Sequence, residues 1–165
     1  MSNTFEFDTL VVLIRSVNLR TEKHGEDDHL AVDIGLWLEP GEGGDQWEAV
    51  LSNVLDMDPQ ASTEFMQQVA EKGSTKFMIG KNFELHTAKF WASTKLLATL
   101  SAAKVNKFVM EWANDTHDDR VLFRIQAEAD GKSVGKLADL IGLKVRLEVV
   151  GPPQAEMDVD GDPDE

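Results

Sequence analysis

Lys89 precedes Phe90 and Trp91, Lys107 precedes Phe108 with Trp112 close behind, and Arg120 and Arg124 share one alternating segment. Single-stranded nucleic acid is held by this mixture, because cations follow the phosphates while bases stack on aromatic faces at about 1–3 kcal/mol each. Aromatic residues at period two usually pack inward, and Phe108, Met110 and Trp112 share one strand face, so these three read as core. The candidates for an exposed stacking platform fall on polar faces: Trp37, and Trp91 or Phe90. The cations grouped with them are Lys89, Arg120, Arg124, Lys144 and Arg146.

Other chemistries find less support. His24, Glu26, Asp27, Asp28, His29 and Asp33 have the side chains of a divalent-metal site, but most are crowded into one turn instead of being spread over a rigid scaffold. The segment reads as a solvated hairpin, and no metal is expected. No GxSxG and no GxxxxGK[ST] occurs, and the run GEGGD at 41–45 lacks the phosphate-binding lysine. With no cysteine there are no disulfides, thiolate metal sites or cysteine nucleophiles. A non-enzymatic protein without a cofactor is the expectation.

The elements that must position these residues follow from periodicity. Leu10–Ile14 is apolar on both faces, as in a central strand, and Val32, Ile34, Leu36 and Leu38 alternate with Asp33, Gly35 and Trp37. Arg20–His29 reads as the charged connection between these two strands. Trp47, Val50, Leu51, Val54 and Leu55 recur at helical spacing behind Asp45 as N-cap. Asp58 followed by Pro59 starts a second helix that ends near Gly73. Strands follow with Phe83, Leu85 and Thr87 on one face, then Val105–Trp112, Arg120–Glu128 and Leu143–Val150; Ser93–Lys104 fits either helix or strand and is read as strand from its neighbours. Ser133 caps a short helix closed by Gly142. The expected fold is α+β: a mostly antiparallel sheet or small OB-like barrel of six to seven strands, with about three short helices.

Charge is unevenly distributed. Residues 1–75 carry 4 basic and 15 acidic side chains, 76–146 carry 12 basic and 8 acidic, and the last 19 residues carry 7 acids and no base. The end of the chain, GPPQAEMDVDGDPDE, is too polar and proline-rich to offset its ordering entropy, so residues 1–150 read as one domain and 151–165 as a disordered acidic tail. The leading MSNTFEFD has acids where a signal peptide needs Lys or Arg, and the apolar run is too short to span a bilayer. A cytoplasmic protein without membrane contact is the expectation.

A β-rich domain carrying cations and aromatics and followed by the acidic run MDVDGDPDE resembles, in plan, the single-stranded DNA-binding proteins of bacteria and tailed phages. Acidic tails in that group recruit replication and recombination partners, although they commonly end in an aromatic residue, where this chain has Asp164 and Glu165. VNLRTEKHGEDDHLAVDI (17–34) and SVGKLADLIGLKVRLEV (133–149) resemble segments of a little-characterised group of small tailed-phage proteins. The resemblance implies a phage setting and a bacterial host cytoplasm.

The leading expectation is a phage-type single-stranded DNA-binding protein that acts in replication or recombination through Trp37, Lys89, Trp91, Arg120, Arg124, Lys144 and Arg146. Glu156, Asp158, Asp160, Asp162, Asp164 and Glu165 would regulate binding or recruit a replication or recombination protein. Residues 1–150 hold 16 bases against 24 acids, so binding must come from a local patch. The alternative is an acidic interaction or inhibitor protein that mimics nucleic acid and binds a basic partner through the Glu22–Asp33 loop, Glu48, Asp56 and Glu64. Uncovered edge strands would favour a homo-oligomer.

Overall fold

The computed structural model describes residues 4–24, 27–38, 46–71, 76–111 and 120–152. Its strands are β1 (Phe7–His24), β2 (Asp27–Leu38), β3 (Lys76–Ala92), β4 (Lys95–Glu111), β5 (Arg120–Glu128) and β6 (Lys144–Val150). Its helices are α1 (Gln46–Leu55), α2 (Pro59–Glu71) and α3 (Gly131–Ala138). All pairings are antiparallel and close a six-stranded barrel in the order β1-β2-β5-β4-β3-β6. The expected α+β class and barrel are present; an OB-fold closes with five strands, whereas here the β3–β4 hairpin widens the ring to six.

Closure depends on β1. Its first half pairs with β6, from Phe7↔Val149 to Leu13↔Lys144, and its second half with β2, from Leu13↔Trp37 to His24↔Asp27. A register shift between Ile14 and Ser16 marks the change of partner, because one extra residue bends a strand and increases its twist. Inward positions then fill the barrel: Val12, Ile14, Val32, Ile34, Leu36, Val105, Met110, Phe123, Ile125 and Leu147 are all buried. Phe5, from the segment ahead of β1, lies among Phe7, Phe83, Phe108 and Phe123, with ring centroids 4.8–5.7 Å away.

The helices cover what the strands leave open. Val50, Leu51 and Val54 of α1 join the core, Phe65 of α2 meets Phe77 edge-on at 5.4 Å, and Leu137 of α3 is buried. Asp58 caps α2, its carboxylate accepting from the Ala61 N–H at 2.8 Å, as the Asp-Pro signal implies. β1 outruns β2 at Val11, and there the Gln46 side chain replaces a strand partner: the Val11 N–H donates to Oε1 at 2.8 Å and Nε2 donates to the Val11 carbonyl at 3.0 Å.

Four local expectations are corrected. β1 and β2 run on through Arg20–His29, so most of that stretch is strand. The cap of α3 is Asp130, whose carboxylate accepts from the Ser133 N–H at 2.7 Å, and the helix starts two residues before Ser133. That helix ends at Ala138; Gly142, at φ 89°, belongs to the following turn and donates to the Ile14 carbonyl at 2.7 Å. A bulge in β3 puts Leu85 at φ 62° and 61% exposed while His86 takes the inward place, so Phe83, Leu85 and Thr87 do not share a face. Asp45, Gly73 and Trp112 lie outside the described residues.

Gln46→Ala strips both Val11 backbone groups of their partner, and a buried polar group left unpaired costs about 1–3 kcal/mol. Urea unfolding should show a loss of that size for Gln46→Ala and less than about 0.5 kcal/mol for Glu48→Ala, an exposed neighbour on the same helix. Equal losses for the two would contradict the role given to Gln46.

Candidate nucleic-acid interface

On the outer face of the barrel, the side chains between the core positions form rows across the strands. Ser16, Gly35, Arg124 and Asn106 are successive partners across β1, β2, β5 and β4. Leu13, Trp37, Leu122, Val109 and Met78 form the next row, reaching β3. Gly35 keeps the first row low: a Cβ there would lie 2.6 Å from Ser16 Oγ. At three bulges an extra residue turns away from the ladder. These are Arg15 on β1, Gly80 with Lys81 on β3, and Lys107 on β4 at φ 61°.

Together these features make a groove of about 610 Å³. Among the described residues its charged lining is Arg15, Lys76, Lys81, Lys107 and Arg124 against the single carboxylate of Glu111. Lys81 is paired with Asp56 at 2.6 Å, and Glu111 lies 3.3 Å from Arg120 Nε at the rim. Among the described residues no carboxylate forms an ion pair with Arg15, Lys76, Lys107 or Arg124. A cleft lined by one sign of charge against low-dielectric walls concentrates the opposite charge, whatever the net charge of the whole chain.

Asp33 stands one row from Arg124, yet its charge is already neutralised. Arg20 grips it with two hydrogen bonds, Nε to Oδ2 at 2.8 Å and Nη2 to Oδ1 at 3.0 Å. Gln126 Nε2 donates to Oδ1 at 3.0 Å, and Asn106 Nδ2 donates in turn to Gln126 Oε1 at 2.9 Å. A carboxylate only accepts, so it fixes which way both amides point. Burial alone would raise the Asp33 carboxyl, but hydrogen bonds from Arg20 and Gln126, with the charges of Arg20 and Arg124, overcome this and hold it below the usual carboxylate range. Asp33, one of the metal-type side chains in the sequence, is committed to this ladder; the side chains of His24 and His29 lie outside the described residues.

The seven residues chosen from the sequence fall into two groups. Arg124 lines the groove, and Trp37 and Arg120 stand at its rim, with the Arg120 guanidinium 4.2 Å and the Arg15 guanidinium 5.3 Å from the Trp37 ring centroid. Trp91 and Arg146 are cross-strand partners on β3 and β6, the guanidinium 4.8 Å from the ring centroid, with Lys89 opposite Glu148 and Lys144 opposite Leu13 nearby. Both tryptophans are therefore covered by arginine instead of presenting bare faces. Phe90, the other choice beside Trp91, is wholly buried in the core. Phe108 and Met110 pack inward as expected. Glu156, Asp158, Asp160, Asp162, Asp164 and Glu165 lie outside the described residues.

Sequence reasoning missed Arg15, Lys76 and Lys81 as groove residues and treated Lys107 only as a neighbour of Phe108. Lys76 and Lys81 open the basic half of the chain, which was a usable signal. The bulges that turn Arg15 and Lys107 into the groove had none, because a bulge is set by pairing with a distant strand.

The chain matches no protein-family model, no curated protein and no solved structure, so the site is read from its own geometry. Among the described residues no helix is long and apolar enough to cross a membrane.

The Asp33 ladder has a pH signature. Because the carboxyl is held low in the folded protein, its contribution to stability is present above the ordinary Asp value of about 3.9 and fades as pH falls through the lowered value. Asp33→Asn should therefore be less stable than the wild type at pH 7, with the gap narrowing below about pH 4 as the wild-type carboxyl takes up its proton. Urea unfolding of both proteins between pH 7 and pH 3 measures this; a gap that stays constant over the range would contradict it.

Proposed function

We propose that the chain binds single-stranded nucleic acid along the groove on its β1-β2-β5-β4-β3 face, as a single-stranded DNA-binding protein of phage replication or recombination. One observation carries the reading: in a chain of net charge −14, the described residues of one groove include five cations, of which Lys81 is paired with Asp56, and a single carboxylate. Like charges brought together repel, and a bound polyanion relieves that repulsion.

Arg15, Lys107 and Arg124, with Lys76 at one end, follow the phosphates of an extended strand. A flanking base stacks on Trp37, and the arginine it displaces from the ring turns to a phosphate, so that ring and guanidinium exchange one favourable contact for another. Trp91, Arg146, Lys89 and Lys144 offer a second set of contacts, on β3 and β6, to a longer strand. The acidic residues from Glu156 to Glu165 regulate this binding or recruit a protein partner, as a flexible polyanion competes with phosphate.

Fluorescence polarisation with a labelled single-stranded oligonucleotide tests the reading. Binding should weaken with salt, with a log–log slope of about −0.7 for each phosphate neutralised. Arg124→Ala and Lys107→Ala should each flatten that slope by about one contact, Trp37→Ala should cost about 1–3 kcal/mol, and Lys132→Ala on α3 should change little. No saturable binding at 50 mM salt, on the order of the low-salt regime where phosphate contacts are strongest, would overturn the proposal and turn attention to a basic protein partner.

A further inference from the structure

His86 is completely buried, and both ring nitrogens are engaged by backbone groups of fixed polarity. The Phe5 N–H, which can only donate, points at Nε2 from 3.0 Å. The Glu84 carbonyl, which can only accept, lies 2.8 Å from Nδ1. The ring must therefore be neutral with its proton on Nδ1; the charged form, a donor at both nitrogens, has nothing to donate to at Nε2. Nor, among the described residues, does a counter-charge face it. Phe83 meets the ring edge-on at 5.8 Å, Ala103 is opposite on β4, and Phe5 approaches from ahead of β1. The flanking charged residues Glu84, Glu6 and Lys104 are exposed, Glu84 accepting from Asn82 and Glu6 from the Gly151 N–H.

We propose that His86 is a proton-operated latch on the segment Thr4–Glu6. In the neutral state it ties the Phe5 backbone to β3 while the Phe5 ring fills the space among Phe83, Phe108 and Phe123. Proton uptake places N–H against N–H inside an apolar barrel, and the relief is to release the strap so that water reaches the imidazolium. Only the released state takes the proton without setting two N–H donors against each other, so falling pH drives release and rising pH restores the latch. Phe108 and Phe123, stacked at 5.6 Å beneath the strap, also line the groove, so the device loosens the groove floor from within. It acts on the fold itself and stands whether or not the groove binds nucleic acid.

Amide hydrogen exchange of the full chain, followed residue by residue between pH 7.5 and pH 5.5 and corrected for intrinsic rates, tests the latch. Protection of the Phe5 amide should fall by about tenfold or more across that range while Ile125 in β5 holds its protection. His86→Gln supplies a side-chain carbonyl for the Phe5 N–H and cannot titrate, so its profile should be flat; His24, His29 and His117 remain in both proteins. Unchanged Phe5 protection in the wild type, or the same fall in His86→Gln, would overturn the proposal. Should the variant fail to fold, imidazole ¹⁵N shifts of the wild type decide: the Nδ1–H form at pH 7.5 is required, and an Nε2–H form, or a ring that titrates while Phe5 stays protected, contradicts the latch.

Discussion

A closed ring gives every strand two neighbours, and β1 meets that requirement by bending at Arg15, one end serving each partner. Ahead of the bend it pairs with β6 and buries Leu10, Val12 and Ile14; beyond it, it pairs with β2, where Val17 packs against the core and Leu19 is half exposed. Everything else depends on this. The ring buries Val12 and Ile14 on the same strand that carries Arg15 outward, and the bulged residue becomes a wall of the groove. Closure also weakens the edge-strand argument for a homo-oligomer, since every strand has a partner on each side over part of its length.

The groove shows why net charge is a poor guide to a surface. The acidic majority is spread over the N-terminal half and the end of the chain, while strand pairing gathers cations from β1, β3, β4 and β5 on one concave face. Asp33, one row from Arg124, is bound by Arg20 and Gln126 and turned into a structural acceptor. Arginine covers both Trp37 and Trp91, so the aromatic component is held in place by the same cations that would meet phosphate.

The barrel was legible in the sequence wherever alternation was uninterrupted. Val121, Phe123, Ile125 and Ala127 point inward, and Val145, Leu147 and Val149 do the same, because a half-buried strand writes its period directly into the chain. Ser93–Lys104 fits helix or strand by composition; Lys95–Lys104 is strand because β3 pairs with it, while Ser93 and Thr94 make the turn that joins the two. What could not be read was the phase change at each bulge: Leu85 and His86 exchange places because of the β3–β4 register, which no local pattern records. The same blindness hid Arg15 and Lys107 from the site, and it hid Phe5, whose backbone N–H is bound by a histidine far along the chain.

The most direct test of the central claim is a backbone amide NMR titration of the full chain with an unlabelled single-stranded oligonucleotide. The account requires the largest shifts at Arg15, Gly35, Trp37, Lys107 and Arg124, with α3 and Lys132 unmoved. Shifts confined to the acidic positions Glu48 and Glu64 of the α1–α2 pair, or none at all at low salt, would contradict it.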